Sequence, residues 1–205
     1  MSNPDTPTPS DDTRARASGN RWDPSQYAIF GDHRLRPALE LLGRIPSPAP
    51  EVVYDLGCGP GNVTRIIAER WPDARVVGVD NSPQMLERAA SEPSRVEWVE
   101  ADVTRWMPDA KPDVIYSNAT LQWVDGHESL FPRLLSHLAP GGCFAAQMPL
   151  SRNSQSHKLM VDILRQLGAE GDQDANALIS TMSRRWVLDA EEYYDLLVAS
   201  AQTLD

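Results

Sequence analysis

The sequence predicts an α/β fold in three layers, with a mostly parallel sheet between two layers of helices. Short apolar, β-branched segments alternate with amphipathic segments of helical period throughout residues 52–148. The first apolar segment also leads into a glycine-rich turn at residues 55–61 and then directly into a helix. Repeated strand and helix units of this length require right-handed crossovers, which make the strands parallel and cover both faces of the sheet.

The alternation predicts five strands, each bounded by turn residues or by a helical pattern. They are Val52–Leu56, Arg75–Val79, Val96–Val99, Asp113–Ser117 and Cys143–Met148. The predicted helices run from Leu35 to about Gly43, from Asn62 to Trp71, from Pro83 through Ala90, from Glu128 to Leu138, and around His157–Leu167 and Asp189–Ala199. Because ligands of such folds bind beyond the carboxyl ends of the strands, the loops that follow the strands are the first place to seek a site.

Composition predicts one domain at residues 20–205, preceded by a disordered tail at residues 1–19 that is rich in Pro, Ser, Thr and Asp. The start of the chain is neither basic nor apolar, and no run approaches the roughly 18 apolar residues of a membrane span. A soluble, cytoplasmic protein is therefore expected. The net charge of -10 argues against general nucleic-acid binding, and the spacing of Cys58 and Cys143 does not suggest a metal site.

The glycine-rich turn, D-L-G-C-G-P-G, indicates a cofactor that approaches the backbone closely. Gly57, Gly59 and Gly61 lie between a buried strand and an amphipathic helix, where a tight turn without a ligand is the alternative. The carboxylate of Asp55 would repel a pyrophosphate, but it suits the ammonium and sulfonium charges of S-adenosylmethionine. These residues therefore favour S-adenosylmethionine over a dinucleotide.

Further cofactor residues are predicted after the second and third strands. Asp80 lies where an acidic residue can accept hydrogen bonds from both ribose hydroxyls, although it could instead cap the helix that begins after Ser82. Asp102 is expected to accept from the adenine amino group while the backbone of Val103 addresses a ring nitrogen; a turn aspartate is the alternative. Met85 is a candidate apolar wall for the adenine, or else a core residue, and Ser82 is counted with these cofactor residues.

Taken together, D-L-G-C-G-P-G, G-V-D-N-S-P-Q-M-L and V-E-A-D-V resemble the cofactor motifs of class I S-adenosylmethionine-dependent methyltransferases, which have a Rossmann-like sheet. W-D-P-S-Q-Y from Trp22, R-P-A-L-E-L-L from Arg36, S-N-A-T-L-Q-W-V from Ser117 and Q-M-P from Gln147 narrow the resemblance to the branch that methylates trans-aconitate. The similarity runs from about Arg21 to the last residue. It implies S-adenosylmethionine as donor and methyl esterification of one carboxylate of a small tricarboxylate.

The resemblance also places residues after the fourth strand and before the first helix. Asn118 and Leu121 are assigned to the cofactor and Gln122 and Trp123 to positioning the acceptor; an ordinary loop with a buried tryptophan is the alternative. Two N-terminal aromatics, Trp22 and Tyr27, are expected to fold over the cofactor, or else to pack the first helix on the sheet.

The expected chemistry needs no acid or base, since a carboxylate is already ionised at neutral pH. Positioning and the exclusion of water are then the main sources of rate. Arg34, Arg36 and Arg152 are candidates for binding the anionic substrate, because an arginine fork matches a carboxylate.

A complete class I sheet has seven strands, whereas only five can be found before residue 205. The chain is therefore expected to be truncated before the last two strands, leaving the fifth strand as an exposed edge that favours self-association. Three functions stay open: the trans-aconitate activity, methylation of a different small-molecule or carrier acceptor, and S-adenosylmethionine binding without turnover.

Overall fold

The computed structural model describes residues 31–151, 154–182 and 186–205, and the fold reported below is that of the unit formed by residues 32–205. The predicted end of the N-terminal tail, near residue 20, lies outside the described residues. None of the described helices has the length and apolar character that a membrane span requires.

The predicted α/β class is confirmed, and all five predicted strands are present within two residues of their expected bounds. They are β1 Val52–Leu56, β2 Arg75–Asp80, β3 Glu97–Glu100, β4 Val114–Asn118 and β5 Cys143–Gln147. All the strand pairs are parallel, and the order across the sheet is β3-β2-β1-β4-β5. The strand order reverses between β1 and β4, which is the switch point where ligands of open parallel sheets bind.

Helices cover both faces of the sheet. They are α1 Gly31–Arg44, α2 Asn62–Arg70, α3 Pro83–Ala90, α4 His127–His137, α5 Gln155–Ala169, α6 Gln173–Met182 and α7 Ala190–Leu197. Ser82 is the N-cap of α3 and Pro83 its first residue, as predicted.

Two buried apolar clusters lie on opposite faces of the sheet, because successive residues of a strand point to opposite sides. Val53 packs with Leu42 of α1 and Ile67 of α2, while Tyr54, the next residue, packs with Leu134 of α4 on the opposite face. Asp55 therefore points to the face that carries α2, with consequences for the site.

Two elements differ from the predicted ones. Helix α6 was not predicted, although Ala175, Leu178, Ile179 and Met182 follow helical spacing; the helix packs mainly on α5, and the Asp172 carboxylate accepts from the Ala175 N–H at its start. The segment Leu121–Trp123, expected as a loop, forms a turn of 3-10 helix.

Candidate functional site

The loops after β1, β2 and β4 meet at the switch point. The N–H groups of Gly57 and Cys58 both donate to the carbonyl of Val79 in β2, at 2.7 and 3.0 Å. The hydroxyl of Thr120, after β4, lies 3.2 Å from the Gly57 carbonyl and donates to it. The sheet thus brings together three segments that are separated by up to 63 positions in the chain.

The three glycines of the turn all have left-handed backbone, with φ of 77° at Gly57, 55° at Gly59 and 81° at Gly61. A Cβ at Gly57 would lie 2.1 Å from Thr120, and one at Gly61 would lie 2.4 Å from Trp98. A Cβ at Gly59 would meet nothing within 4 Å. The outer glycines are therefore required by packing, whereas Gly59 borders open space in which a ligand can approach the backbone.

Asp55 lies buried beneath this turn, only 3% exposed, and its Oδ2 accepts a 2.6 Å hydrogen bond from the hydroxyl of Thr64. Burial raises the pKa of Asp55 to about 7, the Thr64 hydrogen bond opposes this rise, and the charge of Asp80 adds to it. Both carboxylates also help to raise the pKa of Cys58, behind the larger effect of burial. Two neighbouring carboxylates give the site a negative potential that suits a cationic ligand.

Asp80 connects the glycine turn to the start of α3. Its Oδ2 accepts from the N–H of Gly59 and its Oδ1 from the N–H of Ser82, each at 2.9 Å. The hydroxyl of Ser82 in turn accepts from the Met85 N–H at 3.4 Å. Asp80 therefore does not cap the helix, a role that Ser82 has, but it accepts from the N–H of the capping residue; its contact with a ribose stays a prediction.

Asp80→Ala is expected to destabilise the protein by about 1–3 kcal/mol, because two backbone N–H groups lose their acceptor. Cofactor affinity is expected to fall by more than about 1 kcal/mol as well, if the carboxylate also holds the ribose. Urea unfolding and titration calorimetry measure the two effects. Asp102→Ala is the matched control for stability, since that carboxylate is exposed and accepts only within its own turn; equal destabilisation by both variants would contradict the bracing role.

Asp102 stands in a tight turn after β3. Its Oδ1 accepts from the N–H of Thr104 at 2.8 Å and from the Thr104 hydroxyl at 2.7 Å, and these hydrogen bonds lower the pKa of the exposed carboxyl. The turn-aspartate alternative is therefore realised. Both of these hydrogen bonds use Oδ1, so the turn geometry permits the predicted contact between Oδ2 and the adenine amino group, which stays a prediction.

The end of β4 holds two buried acceptor atoms that lack hydrogen-bond partners among the described residues: Oδ1 of Asn118 and Oε1 of Gln122. The orientation of Gln122 is fixed because its amide nitrogen donates to the Ala119 carbonyl at 2.7 Å. Ala119 itself has φ of 53°, a strained conformation for a non-glycine residue. Buried acceptors without partners, next to a strained backbone, are typical of a ligand site. A donor from a bound ligand removes the free-energy cost of leaving such an acceptor without a hydrogen bond.

Three predicted site residues differ in how their side chains are placed. Met85 and Leu121 are 2% and 0% exposed and belong to the interior, as the core alternative for Met85 supposed. Leu121 is fully buried and its carbonyl faces His127, so its predicted contact with the cofactor stays a prediction. Trp123 is 66% exposed, so the alternative of a buried tryptophan in this loop is wrong.

Of the three predicted substrate arginines, Arg36 is the one whose side chain the structure describes, and its ion pair is with its own helix. Arg36 is exposed on α1, where its Nε lies 2.8 Å from the Glu40 carboxylate in an i,i+4 ion pair. The side chain of Arg34, together with Arg152, Trp22 and Tyr27, lies outside the part of the chain that the structure describes.

Several residues that support the site were missed from the sequence. Thr64 holds Asp55, Trp98 underlies Gly61, and Thr120 packs on Gly57. His127, 1% exposed, lies 2.9 Å from the Leu121 carbonyl through Nε2 and 2.5 Å from the Tyr193 hydroxyl through Nδ1, and so ties the 3-10 turn to α7. Only Thr64 could have been found from local sequence, because it lies in the first turn of the helix that follows the glycines. The other contacts join segments that are distant in the chain.

The sequence of this chain is similar to those of known methyltransferases. Residues 53–142 match the model of a methyltransferase domain family. The trans-aconitate 2-methyltransferase of Paracidovorax citrulli is 46% identical over 187 residues, which cover 90% of this chain and 70% of that protein.

Solved structures share the fold at low sequence identity. A putative methyltransferase in complex with the Haloferax volcanii Trm112 methyltransferase activator is 19% identical, with a TM-score of 0.63 over 86% of this chain and 72% of that one. Phosphoethanolamine N-methyltransferase 2 of Haemonchus contortus, in complex with S-adenosyl-L-methionine, is 21% identical, with a TM-score of 0.62 over 85% of this chain and 39% of that one.

Proposed function

Because the chain belongs to the trans-aconitate 2-methyltransferase family, we propose that it methylates one carboxylate of trans-aconitate from S-adenosylmethionine, giving a monomethyl ester. S-adenosylmethionine supplies the electrophilic methyl group: a carboxylate oxygen bonds to the methyl carbon as the carbon–sulfur bond breaks, leaving S-adenosylhomocysteine. No general base is needed, since the attacking carboxylate is already ionised near neutral pH. The protein has to bind, align and desolvate two molecules.

The glycine turn and its two carboxylates are the observation that carries the cofactor part of the proposal. Gly59 borders open space, and its N–H donates to the Asp80 carboxylate. The buried Asp55 carboxylate, held by Thr64, lies at the start of the same turn. We assign the ribose to Asp80 and the positive charge of the cofactor to the potential of both carboxylates. The unpaired oxygens of Asn118 and Gln122 then accept hydrogen bonds from the methionine ammonium of the cofactor, since the ionised acceptor has no donor to offer.

The remaining assignments extend this proposal. Asp102 and Val103 take the adenine, and Trp123, exposed next to the buried Gln122 oxygen, packs against the acceptor. Trp22 and Tyr27 cover the cofactor, and Arg34 and Arg152 remain candidates for the other carboxylates of the substrate. Arg36 is the weakest of the three arginines, since Glu40 already pairs with it.

Binding and turnover are tested separately, because the two need different parts of the site. Titration calorimetry is expected to detect S-adenosylmethionine binding and no NAD binding; the reverse result would refute the cofactor assignment. Transfer of a radiolabelled methyl group to trans-aconitate is then expected. Tricarballylate and citrate are assayed in parallel, and faster transfer to either of them would show a different acceptor specificity. Cofactor binding without transfer to any acceptor would favour a binding protein without turnover.

The cytoplasmic location and the absence of nucleic-acid partners stay predictions. We also propose that β5 mediates self-association, since it forms one edge of the described sheet and pairs only with β4 there. Sedimentation across a concentration series is expected to show a reversible dimer, which a charge placed in this strand by Gln147→Lys weakens, since Gln147 belongs to neither buried cluster.

A further inference from the structure

Arg133, on α4, forms hydrogen bonds to three backbone carbonyls of the loop that follows β3. Its Nη1 donates to the Trp106 carbonyl at 2.7 Å, and its Nη2 donates to the carbonyls of Val103 at 2.9 Å and Thr104 at 3.0 Å. The guanidinium is half-buried and spans almost one turn of the loop. A planar fork with several donors can make this set of contacts, and a lysine ammonium matches it poorly.

The loop needs such an anchor because residues 101–113 contain neither a helix nor a strand. At its start, the Ala101 N–H donates to the Asp80 carbonyl at 3.0 Å, and further on the Trp106 side chain, 3% exposed, packs edge-on against Tyr54 with ring centroids 4.9 Å apart. The turn between Ala101 and Trp106 is largely exposed, and the Arg133 guanidinium binds its backbone carbonyls.

The Asp102 carboxylate follows the backbone of this turn. Both hydrogen bonds to Thr104 use Oδ1, so the direction of Oδ2 is set by the positions of residues 102–104. Those positions depend on the two carbonyls, of Val103 and Thr104, that accept from Arg133. A ligand that Oδ2 and the Val103 N–H recognise would then find these groups already ordered, which lowers the entropic cost of binding.

We propose that Arg133 is a positioning residue that orders the Asp102–Val103 turn and thereby sets selectivity for a 6-aminopurine in the cofactor. This inference rests on the proposed function, in which Asp102 accepts from the adenine amino group. The hydrogen bonds of the Arg133 guanidinium go to backbone carbonyls of this loop, so its effect is expected to reach the ligand through the loop.

The test compares two ligands: S-adenosylhomocysteine and its analogue that lacks the 6-amino group of the purine. Arg133→Met keeps most of the apolar stem while removing every donor. Arg165→Met is the matched control, because Arg165 is 63% exposed on α5 and pairs only with Asp162 among the described residues. Dissociation constants come from calorimetry, and hydrogen exchange of the amides in residues 102–106 is followed without ligand.

The wild type and Arg165→Met are expected to prefer S-adenosylhomocysteine over the analogue by about 10-fold or more, equivalent to about 1.4 kcal/mol. In Arg133→Met the preference is expected to fall to about 2-fold, with little change in affinity for the analogue. The amides of Thr104 and Arg105 are expected to exchange faster, while those of β1 and β2 keep their protection.

Equal weakening of both ligands, or unchanged selectivity and exchange, would overturn the inference while leaving the proposed function intact. Failure of the wild type to bind S-adenosylhomocysteine would instead refute the proposed function itself. If Arg133→Met does not fold, Arg133→Lys replaces it, and its preference is expected to fall between those of the wild type and the methionine variant; full wild-type preference would count against the role.

Discussion

Gly57→Ala is expected to destabilise the protein by about 2–5 kcal/mol, the largest stability loss expected for any single methyl group added to the glycine turn. Left-handed backbone costs an alanine about 1–2 kcal/mol, and the φ of Gly57 is 77°. Overpacking adds about 1–3 kcal/mol, since the new Cβ would lie 2.1 Å from Thr120. Urea unfolding followed by circular dichroism measures the loss.

A double-mutant cycle separates the two causes. Thr120→Gly removes the side chain that the new methyl group meets, so Gly57→Ala in that background is expected to retain only the backbone cost. Gly59→Ala is the matched control, since its Cβ meets nothing within 4 Å and only the left-handed conformation opposes it. We expect Gly59→Ala to fold but to bind S-adenosylmethionine about 10-fold or more weakly, because its methyl group enters the space beside the turn. Equal stability losses in the two variants would contradict this division of roles.

Asp55 is expected to make the free protein less stable as the pH rises from about 4 to about 7. Its pKa in the fold is about 7, against 3.8 for a free side chain, so the folded protein holds this proton more tightly than the unfolded chain. The stabilising contribution is therefore complete below about pH 4 and is lost as pH rises through about 7, with a limit of about 4 kcal/mol. Urea unfolding across this range measures it.

Asp55→Asn is the informative comparison, because an amide keeps an oxygen acceptor for the Thr64 hydroxyl but does not ionise. The variant is expected to be more stable than the wild type at about pH 8 and similar to it near pH 4. The difference between the two proteins also cancels His137, whose pKa is lowered mainly by burial and whose contribution runs in the opposite direction. Parallel stability curves for the two proteins would show that Asp55 does not titrate in this range.

Cofactor binding is expected to show the reverse pH dependence. A bound cation favours the ionised carboxylate, so affinity for S-adenosylmethionine should rise with pH through about 7 and binding should release up to one proton. Calorimetry in buffers of different ionisation enthalpy measures this release. Asp55→Asn should bind S-adenosylmethionine about 10-fold or more weakly and should release no proton on binding. A variant that is more stable but binds more poorly is typical of a change at a functional site.

Much of the fold followed from the sequence, because its strands and helices are specified by local patterns. The strand Val52–Leu56 is β-branched and buried, and Ser82 with Pro83 marks a helix start, so each was placed with little error. Helix α6 was missed even though its apolar residues follow helical spacing, and its main contacts are with the neighbouring helix α5.

The glycines and aspartates of the site were likewise identified from their spacing, which fixes the residues available at the ends of the strands. What spacing could not reveal is how each residue is used: that Gly57 serves packing while Gly59 borders open space, and that Asp80 braces the turn. Nor could it find Arg133, whose partners lie about 30 residues away in sequence. Local sequence determines which backbone conformations and side chains are present. Only the tertiary structure decides which distant groups share a hydrogen bond, a burial site or a charge, because those energies depend on distances that the parallel crossovers create.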